Sequence, residues 1–104
     1  MLDRLGLGYD AMQKINPSLI YCALKGFLSG PYEQRAALDE VVQMMGGLAY
    51  MTGPEGCPLR AGTSVNDMMG GLFGVIAIQA ALWERQRTGK GTFVRSGLFE
   101  TNMF

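Results

Sequence analysis

Apolar positions along the chain switch between helical and strand-like spacing. Residues 9–15 (Tyr-Asp-Ala-Met-Gln-Lys-Ile) read as a short helix. It is stopped by Asn16-Pro17, because a residue before proline avoids the right-handed helical region. The run Leu19-Ile20-Tyr21-Cys22-Ala23-Leu24 is apolar and β-favouring, with a length that suits a buried strand. Residues 34–45 place Leu38, Val41, Val42 and Met45 at i, i+3, i+4 and i+7, which is one apolar helical face ended by Gly46-Gly47. The longest element is expected at 64–88. Ser64-Val65-Asn66-Asp67 supplies capping residues and an acid at its start, and Arg85, Arg87 and Gly89 mark its end. Thr92-Phe93-Val94-Arg95 reads as a second short strand, and the last residues open a further helical turn.

Within the long helix, Met68 to Ile78 carries no charged or strongly polar side chain over eleven residues. A membrane span needs about 18–20 such residues, so the simpler expectation is a helix buried in protein. Gly70, Gly74, Ala77 and Ala81 form a stripe of small residues along it, which lets another backbone approach closely. Helices alternating with strands indicate an α/β class. Only two strands are legible, however, and two strands do not make an independently stable sheet. The chain therefore reads as a piece of a larger α/β domain.

Composition narrows the chemistry. The 104 residues carry 9 Lys+Arg against 9 Asp+Glu, so the net charge is zero and the basic footprint of nucleic-acid or anionic-membrane binding is missing. There is no His, which removes His-based acid/base catalysis and Ser/His or Cys/His nucleophile pairs. Two cysteines, Cys22 and Cys57, cannot build a disulfide scaffold or a Cys-rich zinc site. With no apolar leader after Met1-Leu2-Asp3-Arg4, a cytoplasmic location is expected. No GxGxxG or GxxxxGK[ST] phosphate loop occurs. Catalysis must run on carboxylates, Tyr, Lys, Ser/Thr or Cys.

A family resemblance begins at Asn16-Pro17-x-Leu19-Ile20-Tyr21, Gly26-Phe27 and Gly30-Pro31. It continues through Asp39-x-x-Val42-Gln43-x-x-x-Gly47, Thr52-Gly53-Pro54, Arg60-x-Gly62 and Asp67-x-x-x-Gly71. It closes with Ala80-Ala81-Leu82-x-Glu84-Arg85-x-Arg87-Thr88-Gly89-Lys90-Gly91, the most characteristic run. The chain resembles the family III CoA-transferases, whose close relatives include α-methylacyl-CoA racemase. The resemblance implies that residues 1–104 are an internal part of the family's large domain. A nucleotide-binding portion, a later glycine-rich loop and a second domain would lie elsewhere. It further implies an interlocked homodimer when the protein is whole. Acyl-CoA and a small carboxylic acid would be substrates, and no cofactor would be bound permanently.

Residue by residue, the resemblance assigns the nucleophilic aspartate to Asp67 and the arginine that contacts the CoA phosphates to Arg4. A carboxylate suits a chain without His, because it is ionised at neutral pH without a base. A helix dipole would favour the anion by about 0.3–1 kcal/mol, with nearby backbone N–H groups adding to that. The family's Tyr or His before the acid of its (Tyr/His)-Asp-x-x-x-Gln segment is replaced by Leu38 here. A 1,1-proton transfer needs two acid/base groups, so Leu38 and the absence of His disfavour the racemase reading. A non-catalytic remnant is the third reading. By pattern alone, an Asp at a helix start is ordinarily a dipole partner and Arg4 a solvated surface charge. Gln43 reads either as a polar contact near the site or, by slight preference, as an exposed helix position. Arg60 either binds an anionic substrate or pairs with an acid across its loop.

Overall fold

A computed structural model describes residues 2–103. A 3-10 turn (Leu2–Leu5) leads to α1 (Tyr9–Ile15), β1 (Tyr21–Lys25), α2 (Asp39–Met45), α3 (Leu48–Thr52), α4 (Val65–Thr88) and β2 (Phe93–Gly97). A second 3-10 turn (Glu100–Met103) follows. The two strands pair in parallel, with Tyr21 opposite Phe93 and Lys25 opposite Gly97. Parallel neighbours need a crossover, and α4 supplies it. The α/β class and the long helix are thus as expected.

The small-residue stripe is what lets α4 lie on this sheet. A Cβ on Gly74 would stand 2.9 Å from Leu24 Cδ2 and 3.6 Å from Cys22 Sγ, and one on Gly70 would stand 3.1 Å from Leu98 Cδ1. The buried Ser96 hydroxyl donates to the Gly70 carbonyl at 2.8 Å, tying helix to strand. Gly70 lies against Leu98, just past the end of β2, whereas Arg85 donates to the Ser18 carbonyl ahead of β1. So α4 runs antiparallel to the strands, and its first turn sits at their carboxyl ends. Its last turn closes on Gly89 at φ +72°, whose N–H donates to Arg85 O at 2.8 Å.

The expectation of a buried long helix is corrected. Only Asn66, Gly70, Gly74 and Ala81 of α4 are buried, while Leu72, Val75, Ile76 and Trp83 are exposed. The cause is a shortage of partners, since mainly the two strands, α2 and the last 3-10 turn pack against one side of a 24-residue helix. The radius of gyration, 16.3 Å, exceeds the roughly 13 Å of a compact domain of about 100 residues for the same reason. By length and composition alone α4 is apolar enough to cross a membrane. Its small-residue face is nonetheless matched to the sheet.

On the sheet's other face, Tyr9 stacks on Phe93 at 5.1 Å between ring centres and meets Tyr21 edge-on at 6.0 Å. The Tyr21 hydroxyl donates to Leu7 O at 2.9 Å. These rings, with Lys25, Glu33 and Arg95, border an open hollow of about 660 Å³. The core proper is small: Phe27 packs against Phe99, and Val42 and Ala49 are fully covered.

Candidate active site

Helix α2 begins at Asp39, five residues later than its apolar pattern suggests, because Leu38 is extended (φ −103°, ψ 157°). Of the expected apolar face only Val42 is buried, while Leu38, Val41 and Met45 are exposed. The side chains that α2 does bury are polar. Asp39 is 5 % exposed and Gln43 0 %, which corrects the expectation of an exposed Gln43.

These two residues organise the start of α4. Asp39 Oδ1 accepts the N–H of Asn66 at 2.7 Å and that of Asp67 at 3.2 Å. Counted from Ser64, these are the second and third helical N–H groups, the pair that a capping side chain normally serves. Ser64 makes no such bond; its hydroxyl instead accepts from Arg60 Nη2 at 3.2 Å. Gln43 Nε2 donates to Asp39 Oδ2 and, at 3.3 Å, to Thr63 O, while Gln43 Oε1 accepts the Ala61 N–H at 2.7 Å. Arg60 Nε lies 3.6 Å from Asp39 Oδ2, so of the two sequence readings of Arg60 the pairing with an acid is realised. Every oxygen of the buried carboxylate therefore has a partner, as burial of a charge demands.

The same network spends the helix's free donors. Val65 N–H goes to Thr63 O, Asn66 and Asp67 N–H go to Asp39, and Met68 N–H goes to Ser64 O. The expected support of an anion by first-turn backbone N–H groups is thus not available, because Asp39 already occupies them.

Asp67 is exposed, and its carboxylate has no hydrogen bond or ion pair among the described residues. It sits in the first turn of α4, at the carboxyl ends of the strands. Of the glycines after it, Gly70 is explained by Leu98, whereas a Cβ on Gly71 would meet nothing within 4 Å. Arg4 lies in the exposed first 3-10 turn, whose Leu2 and Asp3 line the hollow on the sheet face away from α4. No hydrogen bond or ion pair joins Arg4 to Asp67. Cys22 is half-buried against Gly74, and Cys57 is exposed in its loop. Among the described residues no group of three or more His, Cys, Asp or Glu is arranged to hold a metal. Sequence reasoning missed the Asp39–Gln43 pair as a unit. Its signal was the i, i+4 spacing of an acid and an amide ahead of a helix start.

A parallel β-α-β crossover with an unpaired acid at the strands' carboxyl ends is the layout in which open α/β folds place ligand sites. Residues 1–104 match the model of CoA-transferase family III, and the chain belongs to that family. It is 42% identical over 104 residues to succinyl-CoA:glutarate CoA-transferase of Mus musculus, covering 98% of this chain and 24% of the mouse protein. It is 44% identical to acetyl-CoA:oxalate CoA-transferase of Acetobacter aceti, covering 96% of this chain and 26% of that one. Among solved structures, a CAIB/BAIF family protein from Brucella suis superposes with a TM-score of 0.92 at 46% identity. That match covers 97% of this chain and 27% of the other. The chain therefore spans about a quarter of the length of these relatives.

Proposed function

We propose that this segment carries the nucleophile of an enzyme that moves coenzyme A from an acyl-CoA to an acceptor carboxylic acid, and that the nucleophile is Asp67. The observation that carries the proposal is the division of labour at the start of α4. Asp39 takes over the capping, so the Asp67 carboxylate is left exposed and unpaired on a fixed backbone. The names of the relatives support the reaction class, since each denotes transfer of CoA between acids.

An Asp67 oxygen attacks the acyl carbonyl of the donor and expels CoA thiolate, giving an aspartyl–acyl anhydride. The thiolate attacks the aspartyl carbonyl, releasing the donor's carboxylate and leaving an aspartyl-CoA thioester. The acceptor carboxylate displaces the thiolate to form a second anhydride, and the thiolate then takes the acceptor's acyl group and frees Asp67. No net proton moves, so the scheme needs no histidine. Splitting one difficult exchange into covalent steps lowers each barrier. Because the first-turn N–H groups are committed to Asp39 and Thr63, the donors that steady the tetrahedral oxyanions come from elsewhere. Arg4 would serve the CoA phosphates. That role asks for CoA to run between two faces of the sheet, or for Arg4 to serve a site completed by another chain, as in an interlocked homodimer. A cytoplasmic location, with neither membrane nor nucleic acid as partner, is part of the same reading.

Racemisation is the less favoured activity. Leu38 is 64 % exposed and cannot carry a proton, and the chain has no His. Alone, the 104 residues are expected to self-associate through the bare face of α4 and to lack transferase activity. In an active transferase carrying this segment, Asp67→Asn should abolish turnover while leaving CoA affinity within a few-fold. Retention of most activity would remove Asp67 from the mechanism.

A further inference from the structure

We infer that Asp39, clamped by Gln43 and Arg60, is a positioning residue for Asp67. The inference rests on the reading of Asp67 as nucleophile and deepens it.

The start of α4 is buried at Asn66, 2 % exposed, so its N–H groups must find their partners within the protein. Ser64 already stands at the capping position, and a serine hydroxyl suffices to serve the second or third N–H. Instead the cap comes from 27 residues upstream, from a carboxylate whose burial must be offset by a fully buried amide and a guanidinium. What this arrangement adds over a local cap is registration. One carboxylate oxygen holds the Asp67 N–H, and the other is held by Gln43. Gln43 also grips the approach to α4 at Ala61 and Thr63. The far end of α2 is fastened as well, since Asn102 Nδ2 donates to Val42 O at 3.1 Å and Gly46 leaves no room beside Asn102. Helix α2 is thus braced between the turn after β2 and the first turn of α4. The backbone of Asp67 is set by the sheet's carboxyl edge rather than by a frayable helix end. A nucleophile exposed to water and free of side-chain partners depends on its backbone for aim, and misplacement by about 1 Å costs on the order of 100-fold in rate.

The test uses an active transferase that carries this segment, assayed with acyl-CoA and a carboxylate acceptor. Asp39→Ala should lower kcat by about 100-fold with KM for acyl-CoA changed less than about threefold, because aim rather than substrate affinity is lost. Asp39→Asn keeps an acceptor for the two N–H groups but sets the new amide donor against Gln43 Nε2, and it too should lower kcat. Pairing it with Gln43→Glu restores donor to acceptor between the two side chains, keeps the net charge and preserves the acceptor for Ala61, while giving up the 3.3 Å bond to Thr63 O. The double variant should recover part of the loss in kcat, whereas a merely structural role would lower the yield of folded enzyme and leave kcat per folded enzyme unchanged. Amide exchange at Asn66 and Asp67, followed in the same variants, should quicken in Asp39→Ala and slow again in the double variant. Unchanged kcat in both single variants overturns the inference, and so does a double variant no better than Asp39→Asn. The two readings separate cleanly. If Asp67→Asn keeps turnover, the nucleophile assignment fails whatever Asp39 does. If Asp67→Asn is inactive and Asp39→Ala is not impaired, only the positioning role fails.

Discussion

Three glycines in the first half of α4 differ in what surrounds them, and alanine at each should separate packing from chemistry. A glycine inside a helix costs about 0.8–1.0 kcal/mol relative to alanine. At Gly71 nothing lies within 4 Å of an added Cβ, so Gly71→Ala should realise nearly all of that gain. At Gly74 the new carbon would stand 2.9 Å from Leu24 Cδ2 and 3.6 Å from Cys22 Sγ, and at Gly70 it would stand 3.1 Å from Leu98 Cδ1. There the helix must lift or a leucine must turn, and overpacking costs about 1–3 kcal/mol, enough to cancel the propensity gain or exceed it. Gly71→Ala should therefore be the most stable of the three by about 1 kcal/mol or more, the propensity gain that the other two forfeit. Urea unfolding of the 104-residue chain, followed by circular dichroism and repeated at several protein concentrations so that a change in self-association shows as a concentration dependence, reads the order. A spread of about 1 kcal/mol moves the urea midpoint by about 0.3–1 M. Gly71 lies one turn from Asp67 on the same helix face, so in an active enzyme the same methyl should reduce kcat/KM while it raises stability. Equal midpoints for the three variants, or a destabilised Gly71→Ala, would refute the packing argument for the stripe.

Two further outcomes follow from other parts of the molecule. Glu33 pairs with Lys25, and that ammonium group holds the Glu33 carboxyl below its ordinary value, with Arg95 adding to the effect. A depressed folded value means that the pair's stabilisation is present above the ordinary carboxylate range and lost as pH falls through the folded value. In Lys25→Met, an NMR titration of Glu33 should move upward, and no movement would show the pair to be inconsequential. In an active transferase carrying this segment, deuterium from solvent should not enter the α-carbon of a 2-methylacyl-CoA, because Leu38 cannot exchange that proton and this segment offers no histidine in its place. Asp67-dependent exchange, read by mass spectrometry, would restore the racemase reading.

Local signals reported local structure faithfully. Pro17 after Asn16 closes α1 at Ile15, and Gly89 closes α4 at Thr88, because a missing N–H and a left-handed backbone act at the residue itself. The start of α2 was misread by five residues, since the periodic run from Gln34 is spent on turn and extended backbone before Asp39. The five-residue α3 was too short for any periodicity to show. The burial of α4 was misjudged because an all-apolar sequence does not say whether its partners lie in the same stretch of chain. At the candidate site, the sequence pointed to Asp67 through its motif and its place in the first turn of the long helix. The contact of Asp39 with Asp67 was not legible, because it spans 28 positions and depends on how α2 crosses the start of α4. The resemblance assigns roles to both Arg4 and Asp67, yet resemblance alone says nothing of the sheet that lies between their surroundings.

The covalent role of Asp67 is the point on which the account turns, and trapping the intermediate tests it directly. An active transferase carrying this segment is incubated with acyl-CoA, quenched with hydroxylamine and digested for peptide mass spectrometry. Both the aspartyl anhydride and the aspartyl-CoA thioester should be cleaved to a hydroxamate on one side chain, in the peptide containing Asn66-Asp67-Met68. The mark should require acyl-CoA and vanish in Asp67→Asn. A hydroxamate on another residue, or none under conditions of full turnover, would contradict the mechanism.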